Sequence, residues 1–104
     1  MRYRLSPQSI AVLRALAEAP EREHHGYAIG RDVGIKAGSL YPILIRLADR
    51  GMISARWEDD PPSGRPRRHL YRILAAGQDA LHDARAQNSF RAAPQRQASP
   101  GVTA

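Results

Sequence analysis

With 104 residues the chain has room for one small domain. It has no cysteine, which excludes a disulfide framework and any thiolate metal site or nucleophile, and no apolar run approaches the ~20 residues that span a bilayer. Sixteen Lys+Arg against ten Asp+Glu give a net charge of +6 and a pI near 10.7, a field that favours a polyanion, nucleic acid before anionic membrane.

Lys36 is the only lysine among the sixteen bases. The codon bias of a GC-rich genome explains much of that preference, so where the arginines sit is more informative than their number. The N-terminus, MRYRLSPQSI, has no long apolar segment or small-residue cleavage site, so a cytoplasmic protein and no membrane partner are expected.

Ser6-Pro7 announces the first helix, with Ser as cap and Pro at the first helical position. Ile10, Leu13, Leu16 and Ala17 form its buried stripe, and it runs to about Ala19. Pro20 and the charged run Glu21 to Glu23 make the connection. A second helix, roughly His25 to Val33, follows His24-His25-Gly26, with Ile29 and Val33 at i and i+4 and Gly34 as its stop. Ile35-Lys36 is a tight turn.

The third helix ends at Gly51, where a residue without a Cβ suits a left-handed cap. Leu40, Ile43, Leu44 and Leu47 make one apolar stripe, and Tyr41, Pro42, Ile45, Arg46 and Asp49 occupy the other side. Its start is open: capping logic chooses Ser39, whereas a start at Ala37 places Pro42 four residues after Gly38 and lessens the ring clash. Two helices joined by a tight Gly-containing turn form a helix-turn-helix.

After Gly51 the period changes to two. Ile53, Ala55 and Trp57 alternate with polar residues as a half-buried strand, and Tyr71 and Ile73 repeat the pattern in His69 to Ile73. Between them DDPPSGRP, residues 59–66, is a turn-rich loop. From Pro61 to Gln78 there are four arginines and no acid. This order predicts a mainly α fold with a small β-hairpin: a winged helix-turn-helix over residues 1–74. A C-terminal helix over 75–91 carries Leu81 as its anchor, and 92–104 is expected to be a disordered tail.

HGYAI, AGSLYPILIRLADRGMI, GRPRRHLYRI and AAG together resemble the PadR family of bacterial transcriptional regulators over roughly residues 5 to 85. The pairing of Gly-Ser-Leu-Tyr-Pro with Gly-Arg-Pro-Arg-Arg is specific, much more so than either piece alone. The resemblance implies a winged-helix DNA-binding domain, a homodimer built partly through the C-terminal helix, and usually a repressor. Some family members release DNA when a phenolic or other aromatic small molecule binds, so an aromatic effector joins the expected partners. Three departures stand out. Ile45 takes a place more often basic or polar, Leu74 replaces a capping Thr, and the C-terminal helix is short and leucine-poor.

On this reading Lys36, Ser39, Tyr41, Pro42 and Arg46 of the third helix, with Arg65, Arg67 and Arg68 of the wing, contact double-stranded DNA. The competing reading of the wing is a solvated loop tip; three arginines without a local acid favour phosphate contact. Val12 on the exposed side of the first helix, with Ala80, Leu81, Ala84 and Phe90, is expected at the dimer interface. Trp57 is expected in core or dimer packing. His24, His25, His69 and His82 match no ligand spacing, so no metal, cofactor or catalytic residue is expected. The alternative function is a winged-helix adaptor for another protein, without specific DNA binding.

Overall fold

Ser6 and Pro7 begin the first helix as their chemistry dictates. In the computed structural model, which describes residues 5–98 and side-chain surroundings as far as residue 86, α1 spans Pro7–Ala17. The Ser6 hydroxyl accepts the Ser9 N–H at 3.0 Å, and Pro7 sits where a missing N–H is harmless. Leu13 and Leu16 are fully buried, and so is Val12. The expectation that Val12 lies on an exposed side is therefore corrected: it is one position from Leu13 and four from Leu16, and both faces they share are covered by the protomer's own elements.

His24–His25 form a two-residue strand, β1, where only a lead-in was expected. Then α2 spans Gly26–Val33 and closes on Gly34 at φ 72, whose N–H reaches the Gly30 carbonyl at 2.8 Å. The next helix, α3, spans Ala37–Asp49, so the earlier of the two starts is the one adopted, and Lys36 stands at the N-cap without a side-chain bond. Leu40, Ile43, Leu44 and Leu47 are all buried. Gly51, at φ 73, completes the end of α3. The Met52 N–H bonds the Leu47 carbonyl and the Gly51 N–H that of Ala48, both at 3.0 Å, the paired bonds of a Schellman cap.

The two longer strands, β2 (Ile53–Trp57) and β3 (His69–Ile73), pair antiparallel with Ile53 opposite Ile73 and Trp57 opposite His69. β1 adds to the other side of β3, His24 opposite Tyr71, giving the order β1-β3-β2. Ile53, Tyr71 and Ile73 are buried, but Ala55 and Trp57 are exposed. Burial along β2 falls away after Ile53, so Ala55 and Trp57 share the face of Ile53 without sharing its core. Trp57, 57% exposed, is not a core residue.

α4 spans Ala75–Ala98 and packs against α1. Its first turn is anchored by backbone: the Leu74 N–H donates to the Met52 carbonyl at 2.9 Å, and the Gln78 N–H to that of Leu74 at 3.0 Å. The helix continues seven residues beyond its expected end at residue 91. The backbone of 92–98, placed in a disordered tail by its prolines and lack of apolar bulk, is helical despite Pro94; its Ala, Gln and Arg are good helix formers. The remainder of that tail, 99–104, lies outside the described residues, as does the lead-in 1–4. Leu81 is buried in the same core as Val12, Leu44 and Ile73.

Candidate nucleic-acid interface

Burial of the leucine stripe fixes which side of α3 faces outward. Ser39, Tyr41, Pro42, Ile45 and Arg46 are all exposed, with Lys36 exposed at the head of the helix. Ile45, at 60% exposure, sets an apolar group among them. Tyr41 lies against Gly26 of α2, and its phenol is near enough to Tyr71 to add to the upward pKa shift that burial imposes on that group. A groove runs between α2 and the start of α3, floored by Gly30, Ile35 and Leu40. Tyr27 stands on its rim, 73% exposed, with the Arg31 guanidinium 5.8 Å from its ring centre. Tyr27 and Arg31 stand at i and i+4 along α2, the spacing that brings them together as an outward-facing pair.

The wing joins β2 to β3. The Glu58 N–H donates to the Arg68 carbonyl at 2.7 Å, extending the strand ladder one step. Arg67 and Arg68 are exposed, and neither side chain makes a hydrogen bond or ion pair among the described residues. Arg65 differs. Its Nη2 meets the Glu58 carboxylate at 3.0 Å, with the two side chains 27% and 25% exposed. The expectation of three arginines without a local acid is corrected at this residue, because the acid lies just ahead of the Pro61–Gln78 window and the hairpin folds it back. The Arg65 guanidinium in turn holds the Glu58 carboxyl below the usual carboxylate range.

A second set of contacts ties the hairpin to the body. Arg56 of β2 donates Nε and Nη2 to the two oxygens of Glu23, at 2.6 and 2.7 Å, and Nη1 to Asp59 at 3.3 Å. This bidentate pair lowers the Glu23 pKa and raises that of Arg56. On the neighbouring face Trp57 stacks on His69, centroids 4.3 Å apart, and His69 accepts or donates at 3.2 Å with the Tyr71 hydroxyl. His25 lies in the combined field of Arg68, Arg31 and Arg65.

Of the residues expected between subunits, Val12 and Leu81 are enclosed in the protomer, whereas Ala80 and Ala84 are half-buried on α4. The Phe90 side chain lies outside the described residues. Among the described residues no group of three or more His, Asp or Glu is placed to hold a metal ion, and no helix is long and apolar enough to cross a membrane.

Three helices followed by a strand, a basic loop and a returning strand, with the third helix presenting an exposed face, define a winged helix-turn-helix protein. The chain belongs to the transcriptional regulator PadR-like family, whose model matches residues 12–83. This places it among transcriptional regulators, not enzymes. No curated protein matches it. Solved structures do. A PadR family transcription regulator from Clostridium difficile R20291 is 23% identical with a TM-score of 0.75, covering 88% of this chain and 97% of that one. A PadR family regulator from Eggerthella lenta is 27% identical with a TM-score of 0.67, over 83% and 78% of the two chains. Bacillus subtilis PadR, solved in complex with operator DNA, is 24% identical with a TM-score of 0.64, over 77% of this chain and 47% of that one.

Proposed function

We propose that the protein binds operator double-stranded DNA and represses transcription as a homodimer in the cytoplasm of a bacterium. Lys36 at the head of α3 and Ser39, Tyr41, Pro42 and Arg46 within it meet the major groove and its phosphates, and Arg67 and Arg68 meet the flanking backbone or minor groove. The observation that carries this reading is the division of charge at the wing. Glu58, Glu23 and Asp59 are engaged by Arg65 and Arg56, which leaves the side chains of Arg67 and Arg68 exposed, with no hydrogen bond or ion pair among the described residues. An adaptor that docks another protein has no use for such an arrangement, whereas phosphates do. Arg65 joins the DNA-contact set only through its position in the wing.

Dimerisation doubles the footprint and places two copies of α3 about 10 bp apart on a two-fold operator. Since Val12 and Leu81 face the protomer's own core, the part of α4 beyond Leu81, starting with the half-buried Ala84, is the surface for the second copy. Release by an aromatic small molecule completes the reading, with the exposed Trp57–His69 stack as the aromatic surface on offer. The test is fluorescence anisotropy on labelled duplex DNA. Affinity should fall by orders of magnitude between ~50 and ~200 mM salt; binding that ignores salt would remove the phosphate-contact model.

A further inference from the structure

Glu58 touches the returning limb of the wing twice. Its N–H holds the Arg68 carbonyl at 2.7 Å, and its carboxylate holds Arg65 at 3.0 Å. Between these contacts the tip turns on a 3.1 Å bond from the Arg65 N–H to the Pro62 carbonyl, with Gly64 at φ 81. Glu58 Oε1 and Arg65 Nη1 are buried without a hydrogen-bond partner. Each charge is therefore partly withdrawn from water, with the other as its counter-charge. Removing one leaves the other half-buried and uncompensated, and the tip must open to hydrate it.

We propose that Glu58 and Arg65 form a brace that sets the course of the wing so that Arg67 and Arg68 reach DNA, which makes an acidic residue a promoter of DNA binding. The proposal rests on the DNA-binding reading above. Arg65 is then a positioning residue, and its side chain is not one of the phosphate contacts. Simple electrostatics gives the opposite sign for Glu58. A carboxylate beside a DNA-facing arm repels phosphate, so its removal alone should strengthen binding.

The full chain carrying Glu58→Gln, Arg65→Gln, or Glu58→Arg together with Arg65→Glu is titrated against mixed-sequence duplex DNA. Both single variants should bind about three- to tenfold more weakly, and the double exchange, which restores an opposite-charge pair, should recover most of the affinity. Without DNA, amide hydrogen exchange across residues 59–68 should quicken in the single variants and slow again in the exchange variant. A Glu58→Gln protein that binds as tightly as the parent, or tighter, overturns the brace. So does a double exchange weaker than either single variant, the outcome expected if Arg65 met phosphate directly. If the parent protein shows no salt-dependent DNA binding, the DNA-binding reading fails instead, and the hydrogen-exchange arm still reports whether the pair holds the wing.

Discussion

A β-carbon built on Gly26 would stand 2.7 Å from the Tyr41 hydroxyl oxygen and 3.1 Å from its ring, so the bare backbone at the head of α2 is what gives Tyr41 its seat. The contact joins the two helices of the helix-turn-helix at the edge of the face proposed to meet DNA. It also separates two kinds of effect. The colliding group is the far end of a side chain that can rotate away, at little cost to the fold.

Gly26→Ala should therefore change stability by no more than about 1 kcal/mol while turning the phenol out of place. DNA affinity should drop about three- to tenfold, as far as in Tyr41→Ala. Urea unfolding and anisotropy measured side by side check this. Full affinity in Gly26→Ala would show that the orientation of Tyr41 plays no part in binding.

Gly77 presents the opposite case. A β-carbon there collides with the Met52 carbonyl oxygen and comes within 2.9 Å of Ile73 Cγ1. The obstacle is backbone, already holding the Leu74 N–H, and it cannot swing aside. Gly77→Ala should lower unfolding free energy by about 2–3 kcal/mol, since α4 must lift away from the sheet. A urea midpoint matching the parent would mean that α4 tolerates a shifted seat.

Leu81→Glu tests where α4 directs its apolar face. Leu81 is 3% exposed within the protomer, so a carboxylate placed there has no solvent and no partner. The variant should lose several kcal/mol, a large share of the stability of so small a domain. Its circular dichroism melt should collapse at any protein concentration. A well-folded monomer from Leu81→Glu would put this side chain back at a subunit interface.

Arg67→Ala combined with Arg68→Ala should weaken binding to all duplex sequences alike and lower the slope of log affinity against log salt by up to ~2. The folded core should be untouched, since both side chains are exposed. An unchanged slope would place the wing away from DNA.

His25 links stability to pH. Its Nδ1 accepts the Ala28 N–H at 3.4 Å, which requires an unprotonated ring nitrogen. Burial, then the Arg68, Arg31 and Arg65 charges, lower its pKa below the ordinary histidine value. The unfolded chain thus takes up the proton more readily than the folded one. This contribution is complete above about pH 6.5 and is lost as pH falls through the lower folded value. The urea midpoint should be lower at about pH 5.5 than at about pH 7.5, and the difference should shrink in His25→Asn, which can cap but not titrate. The same pH response in both proteins would assign the effect to another group.

Much of this fold is legible because it is written locally. The stripe Leu40, Ile43, Leu44, Leu47 buries as its spacing implies, and Gly34 and Gly51 adopt the left-handed conformation that closes a helix. Ser6 caps α1, and the change of period after Gly51 marks a true strand. Each of these features depends on residues within about two helical turns of one another, so geometry along the chain is enough to determine them.

Other features depend on what stands opposite in space. Two histidines are too short a segment to show any period; β1 exists because β3 has an open edge beside it. Val12 and Leu81 look available on their own helices, and only the packing of α4 on α1 encloses them. Trp57 follows the inward alternation of β2 but lies outside the core that Ile53 joins. Arg65 finds its acid seven residues upstream once the hairpin turns, and Arg56 finds Glu23 across thirty-three. A charge along the chain has a sign but no partner; the partner is chosen by the path of the backbone, and that choice leaves Arg67 and Arg68 outward while Arg65 is drawn in.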